Sequence, residues 1–508
     1  MASATSAAGL GHEQVRGSSL LLVGRVLSVV FTMAAQVLVV RALSKTEYGA
    51  FAYALAIVSA CRILLSLGTG KILSRFMTIY SEQRDYGRMF GAMIVSGVTV
   101  LLTGSAVVVA FAFAAPSVVG ATVDHPDAVD ILLVLILLAP LEALDQVFVS
   151  LFAVFTKPRS IFFRKYLLTP ALRLAVVVAL VLLDEGAVFL AVGYVVTQAI
   201  GIVVYVALLH RLMREQGLLA HFKWRQLRFP VKSLFAFSLP TLTGELMYLS
   251  MNTASVVMLG LYRGAAEIAG YRAVFPLARM NQFVFSSFVT LYLPMAARLF
   301  ARRDHNGSKQ TYWHTAVFLA VLSYPVFAMT TVFAHTTTGT LFGQRYAGSA
   351  VVLAVLSAGF YFNAALGFNT YTLQVYGRLR WLLVVNFVAA GLNVALALLL
   401  IPPFGALGVA IANCATLVVQ NVCNQVALRS TIGSAFIDRA SMRPYLVILG
   451  ATLVLTGFQI WLSPGFILAI VLTGVASLVV VFCTKRWLQL GETFPELVRV
   501  PGVRLLVR

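Results

Sequence analysis

The sequence predicts an all-α integral membrane protein of about 14 transmembrane helices, arranged as two pseudo-symmetric six-helix lobes plus two extra C-terminal helices. Three observations predict it. Hydrophobic residues make up 60% of the chain, and its mean hydropathy is +0.91. Charged residues make up only 11%, against about 25% in soluble domains. The apolar residues come in blocks near 20 residues, the length that a hydrocarbon core about 30 Å thick demands. A membrane β-barrel would show short alternating segments instead.

The elements follow in order. Residues 1–18 are small and polar and form a tail. The run after them is too long for the apolar core of a signal peptide and is expected to be the first span. The expected spans are 19–40, 48–68, 89–115, 128–153, 166–183 and 187–209, which form the N-lobe, 19–209. A basic linker, 210–231, comes next. The C-lobe, 232–427, holds 232–259, 269–296, 312–334, 347–375, 381–401 and 405–427. Spans 443–463 and 465–484 form the extra pair (domain 443–484), divided at Ser463-Pro464-Gly465, and 485–508 is a second tail.

The net charge of +20 does not point to nucleic acid, because the basic residues gather in every second loop. Lys71, Arg75, Arg84 and Arg88 follow the second span, and Lys157, Arg159, Arg164 and Lys165 follow the fourth. The opposite loops are poor in positive charge, and one is acidic, with Asp124, Asp127 and Asp130. The bias of basic loops toward the cytoplasm then places both termini on the cytoplasmic side of a bacterial inner membrane.

Two stretches resemble each other: VVRALSKTEYGAFAYAL and VMLGLYRGAAEIAGYRAVFPL. Gly49 and Gly270 match after a short linker carrying Glu47 or Glu267. The two lie six spans apart, so the repeat keeps its direction in the membrane, and parallel halves around a central site are a transporter plan.

The stretch RALSKTEYGAFAYALAIVSACRILLSLGTGKILSRF, with EIAGYRAVFPLARM, LPMAARL, LFGQRYAGSA and the block from VYGRLRW to ATLVVQ, resembles the polysaccharide flippases of the multidrug/oligosaccharidyl-lipid/polysaccharide exporter superfamily. Glu47, Tyr48 and Gly49 keep the family's turn, while Leu43-Ser44 stands where Leu-Gly is usual. Gly377, Asn386, Asn393, Pro402, Gly405 and Gly408 sit at matching places. The resemblance covers residues 15 to 485. It implies a flippase that carries a polyprenyl-pyrophosphate-linked oligosaccharide from the cytoplasmic to the outer leaflet by alternating access, for cell-surface polysaccharide biosynthesis. The implied partners are that lipid-linked glycan, membrane lipids, and glycosyltransferases or a polymerase of the same pathway. Two alternatives stand: a flippase for the peptidoglycan lipid precursor, or a cation-coupled multidrug exporter of the same superfamily.

Charged residues inside spans are costly and should face a cavity or one another. Arg25, Arg62, Arg173 and Arg279 are the candidates for the substrate headgroup. Arg25 and Arg62 lie about 9 Å in from the cytoplasmic side at 1.5 Å per residue, and Arg173 lies at a similar depth. Snorkelling to the interface is the competing explanation. A guanidinium presents a planar fork that matches phosphate oxygens. Glu142, Asp145 and Glu245 are the candidates for charge pairing or for ion coupling, with H⁺ or Na⁺ as the coupling ion. Asn386 and Asn393 share a helix face and suit interhelical hydrogen bonds.

No Walker A loop, dinucleotide turn or HExxH motif is present. Cys61, Cys414, Cys423 and Cys483 have no zinc or redox spacing. The expectation is therefore a transporter rather than an enzyme, with no cofactor beyond the coupling ion.

Overall fold

The computed structural model describes residues 23–66, 69–120, 123, 125–154, 162–231, 233–234, 249–433 and 438–488. Among them, 12 helices are long and apolar enough to cross a membrane, or 13 when the bent pair Ala265–Val289 and Leu291–Ala301 counts as one span. The expected seventh span, 232–259, lies mostly outside the described residues. The protein is thus an all-α, multi-pass membrane protein. Its backbone divides into two compact units, Met1–Ala269 and Gly270–Arg508.

The first unit begins with α1 (Val23–Ala42), α2 (Lys45–Ser66), α3 (Thr69–Glu82) and α4 (Tyr86–Gly120). The turn before α2 is a capping box. Glu47 N donates to Ser44 Oγ at 3.2 Å, and Ser44 N donates to Glu47 Oε2 at 3.0 Å. Two orphan amides are satisfied at once, which explains the serine at a position where glycine is usual. Gly49 has no room for a side chain: a Cβ there would stand 2.0 Å from the Ala265 carbonyl oxygen. Helix α2 is rich in alanine and is the most enclosed span of the unit, packed on α5 (Ala128–Leu135) and α6 (Leu138–Val154). Helix α4 instead presents large apolar side chains outward, Phe113 among them, as a lipid-facing helix must.

Span 128–153 is broken into α5 and α6 at Ile136–Leu137. Pro140, in the first turn of α6, fits against Gly104 of α4. Helix α7 (Phe162–Leu183) opens with a π-helical stretch, Phe162–Leu168. It begins four residues before the expected 166, so Arg164 and Lys165 belong to the helix and not to a loop. The apolar Phe162-Phe163 ahead of them lets the helix extend over a charged pair that hydropathy alone reads as a break. Helix α8 (Ala187–Glu215) runs six residues into the expected linker. The rest of the linker, to Val231, is docked on the start of α4. Arg228 N donates to Gly87 O at 3.2 Å. A Cβ at Gly91 would stand 2.0 Å from Arg228 O, and His221 and Phe222 pack their rings on Tyr86 and Phe90. Helix α9 (Ser255–Arg263) packs on α2.

Helix α10 (Ala265–Arg279) leads into the second unit, followed by α11 (Phe283–Ala301), α12 (His305–Val332), α13 (Ala334–Phe342), α14 (Ala350–Ala365) and α15 (Asn369–Val375). Span 347–375 is interrupted at Leu366–Phe368, where Gly367 takes φ +70°. The hairpin of α16 (Leu379–Phe404) and α17 (Ala406–Ile432) is turned by Gly405, at φ +58°. A Cβ at Gly408 would stand 2.2 Å from Leu400 O, so the two helices meet backbone to backbone there, as small residues permit.

Amides sew this unit together. Asn393 Nδ2 donates to Asn413 Oδ1 at 2.8 Å, and Asn413 Nδ2 donates to Tyr271 Oη at 2.8 Å. Gln420 Nε2 donates to Asn386 Oδ1 at 3.0 Å. Asn369 Nδ2 donates to Asn421 Oδ1 at 3.0 Å beside the break in α14–α15. The final helices, α18 (Arg439–Leu462) and α19 (Phe466–Leu488), form a hairpin that packs on α12.

Candidate functional site

The first unit gathers charge between α2, α6 and α7. Glu142 and Asp145 are three residues apart on α6 and so share a face. Glu142 takes two arginines: Arg62 Nε from α2 lies 3.4 Å from its Oε2, and Arg173 Nη2 from α7 donates to its Oε1 at 3.3 Å. These three side chains keep 26% to 30% of their surface exposed, so each pair is open on one side. Asp145 takes Arg164 Nη1.

Arg164 is the most deeply enclosed of the group, with 1% of its surface exposed. Its guanidinium lies 4.3 Å from the Tyr205 ring centre, and its Nε donates to Gly201 O at 3.3 Å. Both partners belong to α8. The wide turn that presents it is steadied by Thr169 Oγ1, which donates to Arg164 O at 3.1 Å, across the five-residue step of a π turn. Arg173 is likewise placed over a ring, Tyr194, at 5.0 Å. Such cation–ring contacts strengthen when desolvated.

Helix α1 closes the group. Gly24 is pressed against Phe162 and Tyr166, where a Cβ would come within 2.6 Å of the Phe162 ring. This contact sets its neighbour Arg25 beside the start of α7, where Arg164 and Lys165 lie. Arg25, Arg62, Arg164, Lys165 and Arg173 thus stand with two carboxylates, Glu142 and Asp145, and the cluster keeps an excess of positive charge. That charge sits where lipid would make it expensive, so it calls for an anion or for water.

Of the residues singled out from sequence, the structure therefore brings together Arg25, Arg62, Arg173, Glu142 and Asp145. Arg279 lies in the last turn of α10, in the second unit, with its side chain exposed. Glu245 lies outside the described residues. Sequence reasoning missed Arg164 and Lys165 as members of the group, and the aromatic and glycine supports on α8. The one signal available was the pair Phe162-Phe163, which makes the segment apolar enough to be helical. Among the described residues no group of three or more His, Cys, Asp or Glu could hold a metal ion.

Many apolar spans, broken helices and paired intramembrane charges are the build of a secondary transporter. The family model described as polysaccharide biosynthesis protein matches residues 14–300, more than half of the chain, and the chain belongs to that family. A second model, MatE, matches residues 240–399. Together with the fold, these matches place the protein in the multidrug/oligosaccharidyl-lipid/polysaccharide exporter superfamily. An uncharacterized membrane protein of Methanocaldococcus jannaschii is 24% identical over 185 residues, which is 36% of each chain. In fold, the chain is similar to the lipid II flippase MurJ in an inward closed conformation, with a TM-score of 0.69 at 13% identity, covering 96% of this chain and 100% of that one. It is also similar to an inward-facing multidrug resistance MATE family transporter, with a TM-score of 0.67 at 15% identity, covering 80% and 94%. A third likeness is to a superfamily transporter from Pyrococcus furiosus, with a TM-score of 0.56 at 14% identity, covering 83% and 95%.

Proposed function

We propose that this protein is an alternating-access transporter that moves a polyprenyl-pyrophosphate-linked glycan across a bacterial inner membrane, with both termini cytoplasmic. The observation that carries the proposal is the excess of positive charge among Arg25, Arg62, Arg164, Lys165 and Arg173 over Glu142 and Asp145. An anionic headgroup balances that excess, and the half-exposed forks of Arg62 and Arg173 suit phosphate oxygens. Arg164, enclosed and tied to Asp145 and Gly201, positions the cluster rather than meeting substrate. Arg279, in the second unit, is the remaining candidate for a headgroup contact. In this scheme the moving parts are the lobes 19–209 and 232–427, marked by the repeated Glu-Tyr-Gly and Glu-Ile-Ala-Gly turns. Glu142 acts as the counter-ion released when the headgroup binds, and H⁺ or Na⁺ coupling runs through it or through Glu245.

Two glycan classes fit this chemistry. The likeness to MurJ spans almost the whole chain, the terminal helix pair included, and favours a peptidoglycan-type lipid precursor. The family model over residues 14–300 favours a surface polysaccharide carrier. The multidrug alternative draws on the MATE likeness, which covers 80% of the chain; a basic cluster is a poor match for cationic drugs. Proteoliposomes holding a fluorescent pyrophosphate-linked glycan test the main proposal. Arg62→Gln with Arg173→Gln should cut translocation more than tenfold while the protein stays folded, and unchanged translocation would reject it. Rescue of cells depleted of lipid II flippase activity would choose between the two glycans.

A further inference from the structure

The second unit holds two adjoining cavities, one of mixed polar and aromatic lining and the other almost wholly apolar. One, of about 490 Å³, lies where α12 and α18 begin and α19 ends. Asp438, Trp313, Trp487, His314, Gln310 and Ser441 are among its walls. The other, of about 460 Å³, runs beside α18 and is lined by Phe327, Tyr361, Phe362, Tyr445, Leu446 and Leu449. Trp313 is a wall of both, and Ser441 in the first is followed by Met442 in the second. From Met442 to Thr452, the depth of the apolar groove along α18, the helix rises about 15 Å. Leu446 and Leu449 are more than half exposed, so the groove opens outward toward lipid.

We propose that this composite cavity is a binding site for a resident aminophospholipid, with its headgroup in the polar cavity and one acyl chain in the groove. The Asp438 carboxylate caps α18 through Oδ2, which accepts from Ser441 N at 3.2 Å and from Ser441 Oγ at 3.0 Å. It brings one negative charge to a cavity that Trp313 and Trp487 also line. A cavity that offers one carboxylate and two indoles suits an ammonium group. His314 Nε2 is buried and meets no protein partner. Gln310 and Thr311, which also line this cavity, offer amide and hydroxyl groups that suit a phosphate or glycerol oxygen. The acyl chain follows from geometry: the headgroup cavity sits at the membrane-surface end of three spans, and the groove leads from it into the apolar depth.

This inference goes beyond the transport proposal, because the lipid stays and is not carried. The test is therefore lipid retention in the absence of any glycan. The full chain is extracted from nanodiscs of equal phosphatidylethanolamine, phosphatidylglycerol and phosphatidylcholine, and the retained lipid is measured by native mass spectrometry. Phosphatidylethanolamine should be retained at least fivefold over the other two. Trp487→Ala, which leaves the α18 cap intact, and Leu449→Trp, which fills the groove, should each abolish that preference. Asp438→Asn should lower it fivefold with thermal stability checked in parallel. Equal retention of the three lipids, a preference for phosphatidylglycerol, or a preference that survives both Trp487→Ala and Leu449→Trp would overturn the proposal.

Discussion

Gly201 lies directly beneath the Arg164 guanidinium, and its carbonyl accepts from Nε at 3.3 Å. A Cβ at this position would stand 2.4 Å from Nη2. The glycine is what lets α8 carry a buried cation at its surface. Gly201→Ala should therefore push Arg164 off Tyr205 and Asp145 and destabilise the unit by about 1–3 kcal/mol, the usual cost of overpacking. Thermal unfolding of the purified protein in detergent checks it. A variant as stable as the parent would show that Arg164 has another place to go.

Asp145 and Arg164 should not be removable one at a time. Asp145→Asn leaves an enclosed guanidinium without its counter-charge, and breaking a buried pair this way costs about 3–5 kcal/mol. Asp145→Asn with Arg164→Met should recover much of that loss. A double-mutant cycle on unfolding midpoints measures the coupling.

Glu142 stands with two half-exposed arginines, so its pairs are screened, and each should contribute at most about 1 kcal/mol. Glu142→Gln should therefore leave stability nearly unchanged while altering headgroup affinity and transport rate. Stability and transport measured on the same preparation separate the two effects. A large stability loss would make the residue a scaffold.

Gly91 receives the linker backbone at Arg228. Gly91→Val should lift the segment from Lys223 to Val231 off α4, which hydrogen exchange would register as lost protection at the Arg228 amide. Exchange unchanged from the parent would mean that the ring contacts at Tyr86 and Phe90 suffice.

In the amide seam, Asn393→Leu strands Asn413, which still holds Tyr271. Interhelical hydrogen bonds in membranes average about 0.6 kcal/mol, but a stranded buried amide costs about 1–3 kcal/mol. Asn393→Leu alone should therefore be worse than Asn393→Leu with Asn413→Leu and Tyr271→Phe, which leaves no amide or hydroxyl of the seam stranded. Unfolding midpoints of the two variants and the parent decide it.

Most of the described spans were legible in the sequence because a 20-residue apolar block has almost no other use, and the loops between them showed as charge. The Gly405 turn was legible because its chemistry is local, whereas the Ser44–Glu47 box showed only as a serine in place of the usual glycine. The charge cluster was half legible. Arg62, Glu142 and Arg173 stood out as single charges in apolar runs, but Arg164 and Lys165 sit at a helix start, where hydropathy dips in the same way as in a loop. The docking of the linker on Gly87 and Gly91 left no local signal, since glycines in an apolar helix serve many ends. The interruption at Leu366–Phe368 was hidden because an apolar sequence with a single glycine continues as helix unless a neighbour takes its carbonyls, as Tyr312 and Tyr445 do with those of Leu366 and Ala365.

The partnership of Asp145 and Arg164 also bears on how the chain enters a membrane. A lone arginine or aspartate in an emerging helix costs about 2.5–3.5 kcal/mol at mid-bilayer. Here the two charges lie on consecutive helices, α6 and α7. The hairpin, delivered whole, enters lipid with those charges already neutralised. Biogenesis is thus easiest when the insertion machinery holds α6 until α7 has been synthesised.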